Sequence, residues 1–336
     1  MAERPEAGVE IDVVTGGLLF ADLVFSGLDG LPVEGEEVWS RGLTTSPGGI
    51  ANFAVAIRRL GHSASLAAAI GDDTWGGWCW AALEREGVDL SRSRRFPGWS
   101  TPLTVAMSVG HDRALLSHAT PPPVDVDTMI GDPPTSRAAV VHLGPEPLRW
   151  VTTAAASGAL VFAEVGWDPS QNWTPALFEQ LPVCHAFVPN EAEAMSYTRT
   201  TDARSALRKL ADAVPLAVIT RGAGGALGLD STTGETAEVA GLSVEAVDPT
   251  GAGDVFTAGL ITGTLGGWPL HERLAFANLC AALSVRRAGG AASAPRWADV
   301  RTWWDAVRHP RGDARLRREY AFLDDVVPAA SDNPTT

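Results

Sequence analysis

Lysine is almost absent from this sequence, and its scarcity excludes two common ways of holding a nucleotide's phosphates. Lys209 is the only lysine in 336 residues, and it lies in an ordinary amphipathic pattern, Ala206-Leu207-Arg208-Lys209-Leu210. A P-loop needs Gly-Lys-Ser/Thr after a glycine-rich loop, and a protein kinase needs a strand lysine beside its own glycine-rich loop. If the chain binds a nucleotide, backbone amides, arginine and a metal ion must therefore neutralise the phosphates.

Cysteine and long apolar runs are also scarce. Cys79, Cys184 and Cys280 lie far apart without a C-x-x-C pair, so we expect neither a zinc site nor a disulfide framework. No uninterrupted apolar run reaches the roughly 18 residues of a membrane helix, and the first residues lack a signal-peptide pattern. We therefore expect a soluble, cytoplasmic protein without a membrane partner.

Positive charge is in deficit as well. The formal net charge is −14 at pH 7, whereas a nucleic-acid surface needs a basic stripe, so we expect no nucleic-acid partner. Apolar residues make up 45% of the chain, which favours a well-buried core.

Short strand-like runs alternate with helical ones along most of the chain. The main runs that predict strands are 10–17, 65–70, 138–143, 159–165, 186–188 and 216–220. Strands separated by helices indicate an α/β fold, in which a mostly parallel sheet is covered by helices on both faces. We predict one domain over residues 10–327 and a disordered tail at 328–336, with ligands bound at the carboxyl ends of the strands.

The stretch Asp248-Pro249-Thr250-Gly251-Ala252-Gly253-Asp254 leads into an apolar run typical of a helix. Thr250 is expected to cap that helix, and the nearly bare residues 251–253 leave their N–H groups open to a large anion. The helix dipole would favour the same anion. Asp254 would lie in the first turn, where it can accept a proton from a hydroxyl while the amides stabilise a phosphoryl group. Taken alone, such an aspartate is more often only a partner of the dipole.

Other motifs are weaker when each is taken alone. Gly48-Gly49 precedes a helical pattern with Asn52 in its first turn, where the amide could bind sugar hydroxyls or act as a local cap. Asn190 and Glu193 have the spacing of a capping box. The glycine-rich run from Thr220 to Gly225 follows a buried strand, and Arg221 within it could contact phosphate or simply be solvated.

In this order, the glycine pair with Asn52 and the 248–254 stretch resemble the two signatures of the ribokinase-like (PfkB) carbohydrate kinases. The resemblance covers roughly residues 10–300. It implies a three-layer α/β sandwich with a small β-sheet lid, formed by segments near 18–45 and 101–118. It also implies that Asp254 is the catalytic base and that the amides of Gly251, Ala252 and Gly253 form an anion hole. The implied acceptor site contains Asp22, Gly48, Gly49 and Asn52.

The same resemblance implies ATP and Mg²⁺ as ligands. The implied ATP-binding residues are Asn190, Thr220, Gly222, Gly225 and Asn278. Glu193 would organise Mg²⁺, mostly through water, and the region of Asp248 and Thr250 would hold a monovalent cation such as K⁺ through carbonyl oxygens. An exposed edge of the lid sheet would be a contact for a homodimer.

We interpret the sequence as an ATP-dependent kinase that phosphorylates a hydroxyl, expected to be primary, of a sugar or sugar-derived substrate. Ile50 stands where family members often have lysine or glycine, which disfavours an acceptor that is already phosphorylated. One alternative is an adenosine-type nucleoside kinase, with Trp39 or Trp167 stacking on the base. Another is a catalytically silent sugar-binding protein, although the intact Asp254 and glycine loop argue against it.

Overall fold

The computed structural model describes residues 10–109, 112–166, 171–310 and 312–329. Its strands, in chain order, are β1 (Ile11–Gly16), β2 (Leu19–Leu28), β3 (Gly42–Gly49), β4 (Ala64–Ala67), β5 (Ala69–Gly71), β6 (Arg94–Phe96), β7 (Leu103–Val109), β8 (Asp112–His118), β9 (Ser136–Leu143), β10 (Leu160–Val165), β11 (Ala186–Phe187), β12 (Leu216–Thr220), β13 (Ala226–Asp230) and β14 (Glu235–Val239).

The helices connect these strands and cover them. In chain order they are α1 (Ala51–Arg59), α2 (Thr74–Arg85), α3 (Val126–Ile130), α4 (Arg149–Ala156), α5 (Glu191–Thr198), α6 (Ala203–Ala211), α7 (Ala252–Leu265), α8 (Leu270–Ser284), α9 (Trp297–Arg308), α10 (Ala314–Glu319) and α11 (Leu323–Val326). Short 3₁₀ segments span Pro175–Val183, Gly222–Gly224 and Gly290–Ser293. Within the described ranges, no helix is both long enough and apolar enough to cross a membrane.

The central sheet has the strand order β14-β13-β12-β11-β10-β9-β1-β4. Pairing is parallel from β4 through β12, and only the β12–β13 and β13–β14 pairs are antiparallel. Parallel strands buried on both faces read as continuous apolar runs, and that is why the sequence pattern located them. The prediction of a mostly parallel sheet is confirmed.

Successive residues of each strand pack into different cores, which makes the molecule three layers thick. Val13 of β1 packs in a core that includes α1, α7 and α8, whereas Val14 packs in a second core with α4, α5 and α6. The alternation follows from the two-residue period of a strand. The helices thus lie on both faces of the sheet, as expected.

A separate four-stranded sheet, which we call the lid, has the order β3-β2-β7-β8. The segment that the resemblance assigns to the lid near 101–118 contains the antiparallel β7–β8 pair, and Gly110 and His111 lie outside the described residues. Strand β2 carries Asp22, and β3 ends at Gly49, just before α1 begins at Ala51. The lid therefore leads directly into the helix that carries Asn52.

One local prediction was wrong. The run 65–70 is not one strand: β4 belongs to the central sheet, whereas β5 pairs with β6 in a small sheet of its own. Helix α2 begins at Thr74, because the Asp73 carboxylate accepts a hydrogen bond from the Gly76 N–H and caps the helix. The predicted tail from 330 onward lies outside the described residues.

Candidate active site

The first turn of α7 carries the predicted base. Gly251 occupies the N-cap position with φ 73°, a conformation that favours glycine, and Asp254 lies in the first turn as expected. The prediction that Thr250 caps this helix was wrong, since its hydroxyl donates to Asp248 Oδ1 at 2.7 Å. The Ala252 N–H donates to the Pro249 carbonyl at 3.2 Å, so this member of the predicted anion hole is already engaged.

The two signature stretches meet at Asp254. Asn52 Nδ2 donates to Asp254 Oδ2 at 2.8 Å, across 202 positions of sequence. The Asn52 side chain is buried, and its Oδ1 has no hydrogen-bond partner among the described residues. A Cβ added at Gly251 would lie 3.2 Å from Asn52 Nδ2, so a glycine at this position leaves room for the amide.

Two residues that the sequence analysis did not single out lie beside Asp254. His142 Nε2 is 3.3 Å from Asp254 Oδ1. Glu164 is the direct neighbour of His142 on the adjacent parallel strand. One ligand atom from each of these three side chains lies within 4.8 Å of the others, an arrangement that could hold a metal ion. His142 is the penultimate residue of β9 and Glu164 that of β10, and polar residues at the carboxyl ends of buried parallel strands are the signal that could have revealed them.

The charges of this cluster influence one another. Burial raises the pKa of Glu164 to about 8, with a further contribution from the charge of Asp254. Burial tends to lower the pKa of His142, but the hydrogen bond and charge of Asp254 raise it above its usual value. Burial therefore favours the protonated form of Glu164, and Asp254 favours the protonated form of His142.

Asp22 lies in β2 and is 5% exposed. Burial raises its pKa to about 7, assisted by the negative charges of Asp254 and Asp248 and opposed by Arg113. A Cβ on Gly48 would collide with the Asp22 carboxyl, so this glycine makes space for it. Asp22 and Gly48, two of the predicted acceptor residues, are therefore in contact, and the charge of Asp254 acts on Asp22.

Asp248 acts as a connector between two loops. Its Oδ1 accepts from the Thr250 N–H at 3.0 Å and its Oδ2 accepts from the Gly289 N–H at 2.9 Å. The side chain is 1% exposed. These hydrogen bonds hold the Thr250 and Gly289 loops together around the region where a monovalent cation was expected.

The predicted ATP-binding residues lie farther along the central sheet. Asn190 forms a parallel bridge with Thr220, and Gly222 lies in the 3₁₀ turn that follows β12. A Cβ on Gly225 would collide with the Val239 carbonyl, and Asn278 Nδ2 donates to that same carbonyl at 3.3 Å. The structure brings these residues to two neighbouring places, the ends of β11 and β12 and the end of β14.

The capping box at the start of α5 is confirmed. Asn190 Oδ1 accepts from the Glu193 N–H at 3.0 Å, and Glu193 Oε2 accepts from the Asn190 N–H at 2.8 Å. Burial raises the pKa of Glu193. The capping box uses only Oε2, so Oε1 stays available to a hydrated cation.

Three further candidates have different outcomes. Arg221 forms an ion pair with Glu238 at 3.0 Å and is not simply a solvated arginine. Trp39 is 78% exposed in the connection between β2 and β3. Trp167, the other candidate for stacking, lies outside the described residues.

Comparisons with known proteins agree on one family. The family model described as "pfkB family carbohydrate kinase" matches residues 17–297. A ribokinase of Schizosaccharomyces pombe is 30% identical over 311 residues, which cover 86% of this chain and 96% of the relative. A fructokinase of Klebsiella pneumoniae is 29% identical over 278 residues, which cover 75% of this chain and 90% of the relative.

A solved structure shows the same fold. The structure of a putative ribokinase II from E. coli, in complex with ATP and Mg²⁺, superimposes with a TM-score of 0.74 at 23% identity. The match covers 88% of this chain and 99% of that chain. On the match to its family model, and on the sequence identity with these relatives, the chain belongs to the pfkB family of carbohydrate kinases.

Proposed function

We propose that residues 10–327 form one kinase domain that transfers the γ-phosphoryl group of ATP to a hydroxyl, expected to be primary, of a neutral sugar or sugar-derived acceptor. The hydrogen bond of 2.8 Å between Asn52 and Asp254 carries this proposal. It joins an acceptor-binding stretch to a carboxylate in the first turn of a helix, which is the place where a hydroxyl and an anionic phosphoryl group have to meet.

The reaction follows from the roles of these groups. Asp254 accepts the proton of the acceptor hydroxyl, the acceptor oxygen bonds to the γ-phosphorus, and the bond from that phosphorus to the bridging oxygen of ADP breaks. The N–H groups of Gly251 and Gly253, together with the dipole of α7, stabilise the charge on the transferring group. In the proposed hole, the Ala252 N–H has a lesser role, because Pro249 already accepts its hydrogen bond.

The acceptor pocket supports a neutral substrate. Asp22 can accept hydrogen bonds from hydroxyls, and Asn52 Oδ1, which has no partner among the described residues, can accept another. The negative charges of Asp248 and Asp254 act on Asp22, and an acceptor with its own phosphate would be repelled by the same charges. Gly48 leaves the space that the Asp22 carboxyl occupies, and Gly49, with φ 60°, ends the strand before the helix of Asn52.

On the nucleotide side, we propose that Asn190, Thr220, Gly222, Gly225 and Asn278 contact ATP. Mg²⁺ bound near Glu193 supplies positive charge that offsets the phosphates of a nearly lysine-free protein. A K⁺ ion is proposed at the main-chain carbonyls of Asp248 and Thr250, in the loop that the Asp248 carboxylate fixes by its hydrogen bonds to the Thr250 and Gly289 N–H groups.

The Asp254→Asn variant tests the base. General-base catalysis contributes about 10²–10⁴-fold, so kcat should fall by that factor while the fold and ATP binding stay intact. The measurement is acceptor-dependent release of ADP in a coupled assay, with circular dichroism as the folding control. Turnover close to that of the unmodified protein would refute Asp254 as the base.

A nucleoside acceptor is the second candidate, supported by the exposed ring of Trp39 on the lid. A panel of pentoses, hexoses and nucleosides in a thermal-shift assay separates the two, because a ligand at 100 times its Kd stabilises by about 2.7 kcal/mol. If nucleosides shift the melting temperature and free sugars do not, the nucleoside kinase is the correct assignment.

We further propose that two lids pair in a homodimer. Most of the exposed large apolar side chains lie on the lid or its connections, namely Leu31, Val33, Trp39, Leu43, Leu115 and Leu116. Strands β3 and β8 are the edges of that sheet, and exposed edges favour association. Light scattering should give twice the chain mass, and a monomer at micromolar concentration would contradict the pairing.

A further inference from the structure

Both oxygens of the proposed base are held, and they are held from different elements. Asn52, at the start of α1, donates to Oδ2 at 2.8 Å, and His142, near the end of β9, lies 3.3 Å from Oδ1. The Asp254 side chain is 14% exposed. Each carboxylate oxygen has two lone pairs, so these contacts fix the orientation of the group and still leave lone pairs for an incoming hydroxyl.

The imidazole of His142 is itself fixed by packing. The ring of Phe53 lies 5.0 Å from it, centroid to centroid, at an interplanar angle of 55°. Phe53 is fully buried and follows Asn52 directly in α1. One helix therefore holds the base through Asn52 and also holds the second contact of the base through Phe53.

A second acidic side chain beside Asp254 makes the second contact important. Glu164 is 8% exposed, its Oε1 has no hydrogen-bond partner among the described residues, and its Oε2 would lie 3.9 Å from a Cβ on Gly253. If Asn52 alone held it, the Asp254 carboxylate would be free to turn about its Cβ–Cγ bond toward Glu164. Its lone pairs would then no longer point at the acceptor hydroxyl.

We propose that His142 is a positioning residue, which holds Oδ1 of Asp254 so that the base faces the acceptor hydroxyl and not Glu164. The proposal rests on the function proposed above, with Asp254 as the base. Nothing in it requires His142 to touch the substrate. Substitution of His142 should lower kcat because the Asp254 carboxylate loses its orientation. A displacement of about 1 Å in a reacting group can lower the rate on the order of 100-fold.

The test compares two substitutions of the same residue. His142→Gln keeps an N–H donor near the position of Nε2, whereas His142→Leu fills similar space without a donor. We expect His142→Leu to lower kcat by about 10- to 100-fold with KM for ATP unchanged, and His142→Gln to stay within about threefold of the unmodified protein. The assay is release of ADP with the best acceptor from the panel, and the melting temperatures of both variants show whether they fold.

A double-mutant cycle with Asp254→Asn separates this proposal from the assignment of the base. If His142 acts through Asp254, adding His142→Leu to Asp254→Asn should change kcat by less than about twofold. An undiminished effect of His142→Leu in that background would overturn the proposal. Equal losses of kcat in His142→Leu and His142→Gln would also overturn it, since they would show that the imidazole itself transfers protons or binds a metal. Turnover close to normal in Asp254→Asn alone would instead refute the base.

Discussion

Helices α5 and α7 both begin beside a glutamate, but only one of the two glutamates is satisfied by the protein. At the start of α5, Glu193 accepts a hydrogen bond from the Asn190 N–H, and Asn190 caps the helix in return. At the start of α7, Gly251 offers no side-chain cap, and Oε1 of the nearby Glu164 has no hydrogen-bond partner in the part of the chain that the structure describes. The hydrogen-bonding groups at the start of α5 are therefore satisfied without a ligand, whereas those at the start of α7 are open to one.

The largest effect expected from this contrast is on stability, in Glu164→Gln. The pKa of Glu164 is raised to about 8 in the folded protein. The contribution of Glu164 to stability is therefore fully present below its pKa in the unfolded chain, and it is lost as the pH rises through about 8. A glutamine does not titrate. Near pH 7 the variant should be more stable by on the order of 3 kcal/mol, because each unit of pKa shift corresponds to about 1.4 kcal/mol.

Urea unfolding at pH 5 and pH 8 measures this effect. The gain should be small at pH 5 and large at pH 8, because only Glu164, and not glutamine, has a carboxyl group whose protonation depends on pH. A stability gain that is equal at both pH values would mean that the pKa of Glu164 is not raised in the folded protein.

A smaller effect is expected from Gly251→Ala, for which the other end of the same helix supplies a control. Gly251 and Gly267 have φ values of 73° and 67°, but only Gly251 has neighbours within 4 Å. Alanine should cost about 1 kcal/mol of stability at either position. Only Gly251→Ala should also lower kcat, by about 10- to 100-fold, because its Cβ displaces the Asn52 amide. Equal kcat values for Gly251→Ala and Gly267→Ala would show that the start of α7 does not take part in catalysis.

The smallest effect is expected at α5. Asn190→Ala removes the cap and should lower the free energy of unfolding by about 1 kcal/mol, whereas Asn190→Ser keeps an oxygen acceptor and should cost little. Chemical denaturation measures both, and KM for ATP measured in parallel tests the proposed nucleotide contact. If serine restores stability but not KM, Asn190 is a ligand as well as a cap.

The sequence predicted those parts of the molecule whose patterns are local. Continuous apolar runs located the parallel strands, and the spacing of Asn190 and Glu193 predicted a capping box that the structure contains. The antiparallel strand β13 was missed because Gly222 to Gly225 was read only as a ligand loop, although it is also the turn from β12 into β13. The resemblance supplied both Asn52 and Asp254, but their contact depends on tertiary packing across the whole chain.

His142 and Glu164 show why the rest of the site escaped. Each is one polar residue near the end of an apolar strand, a pattern that fits a solvated strand end equally well. Only the parallel register of β9 and β10 makes them neighbours, and only the packing of α7 brings Asp254 to both. Neither relationship is encoded within a window of a few residues.

The short junction between β3 and α1 has a consequence for the coupling of motion to chemistry. Strand β3 ends at Gly49, where φ is 60°, and Asn52 follows three residues later with Asp254 attached to its amide. So little chain separates the sheet from the amide that the position of β3 and the orientation of the carboxylate are linked. A change in the position of β3 would therefore disturb the alignment of the base that the two contacts to Asp254 maintain.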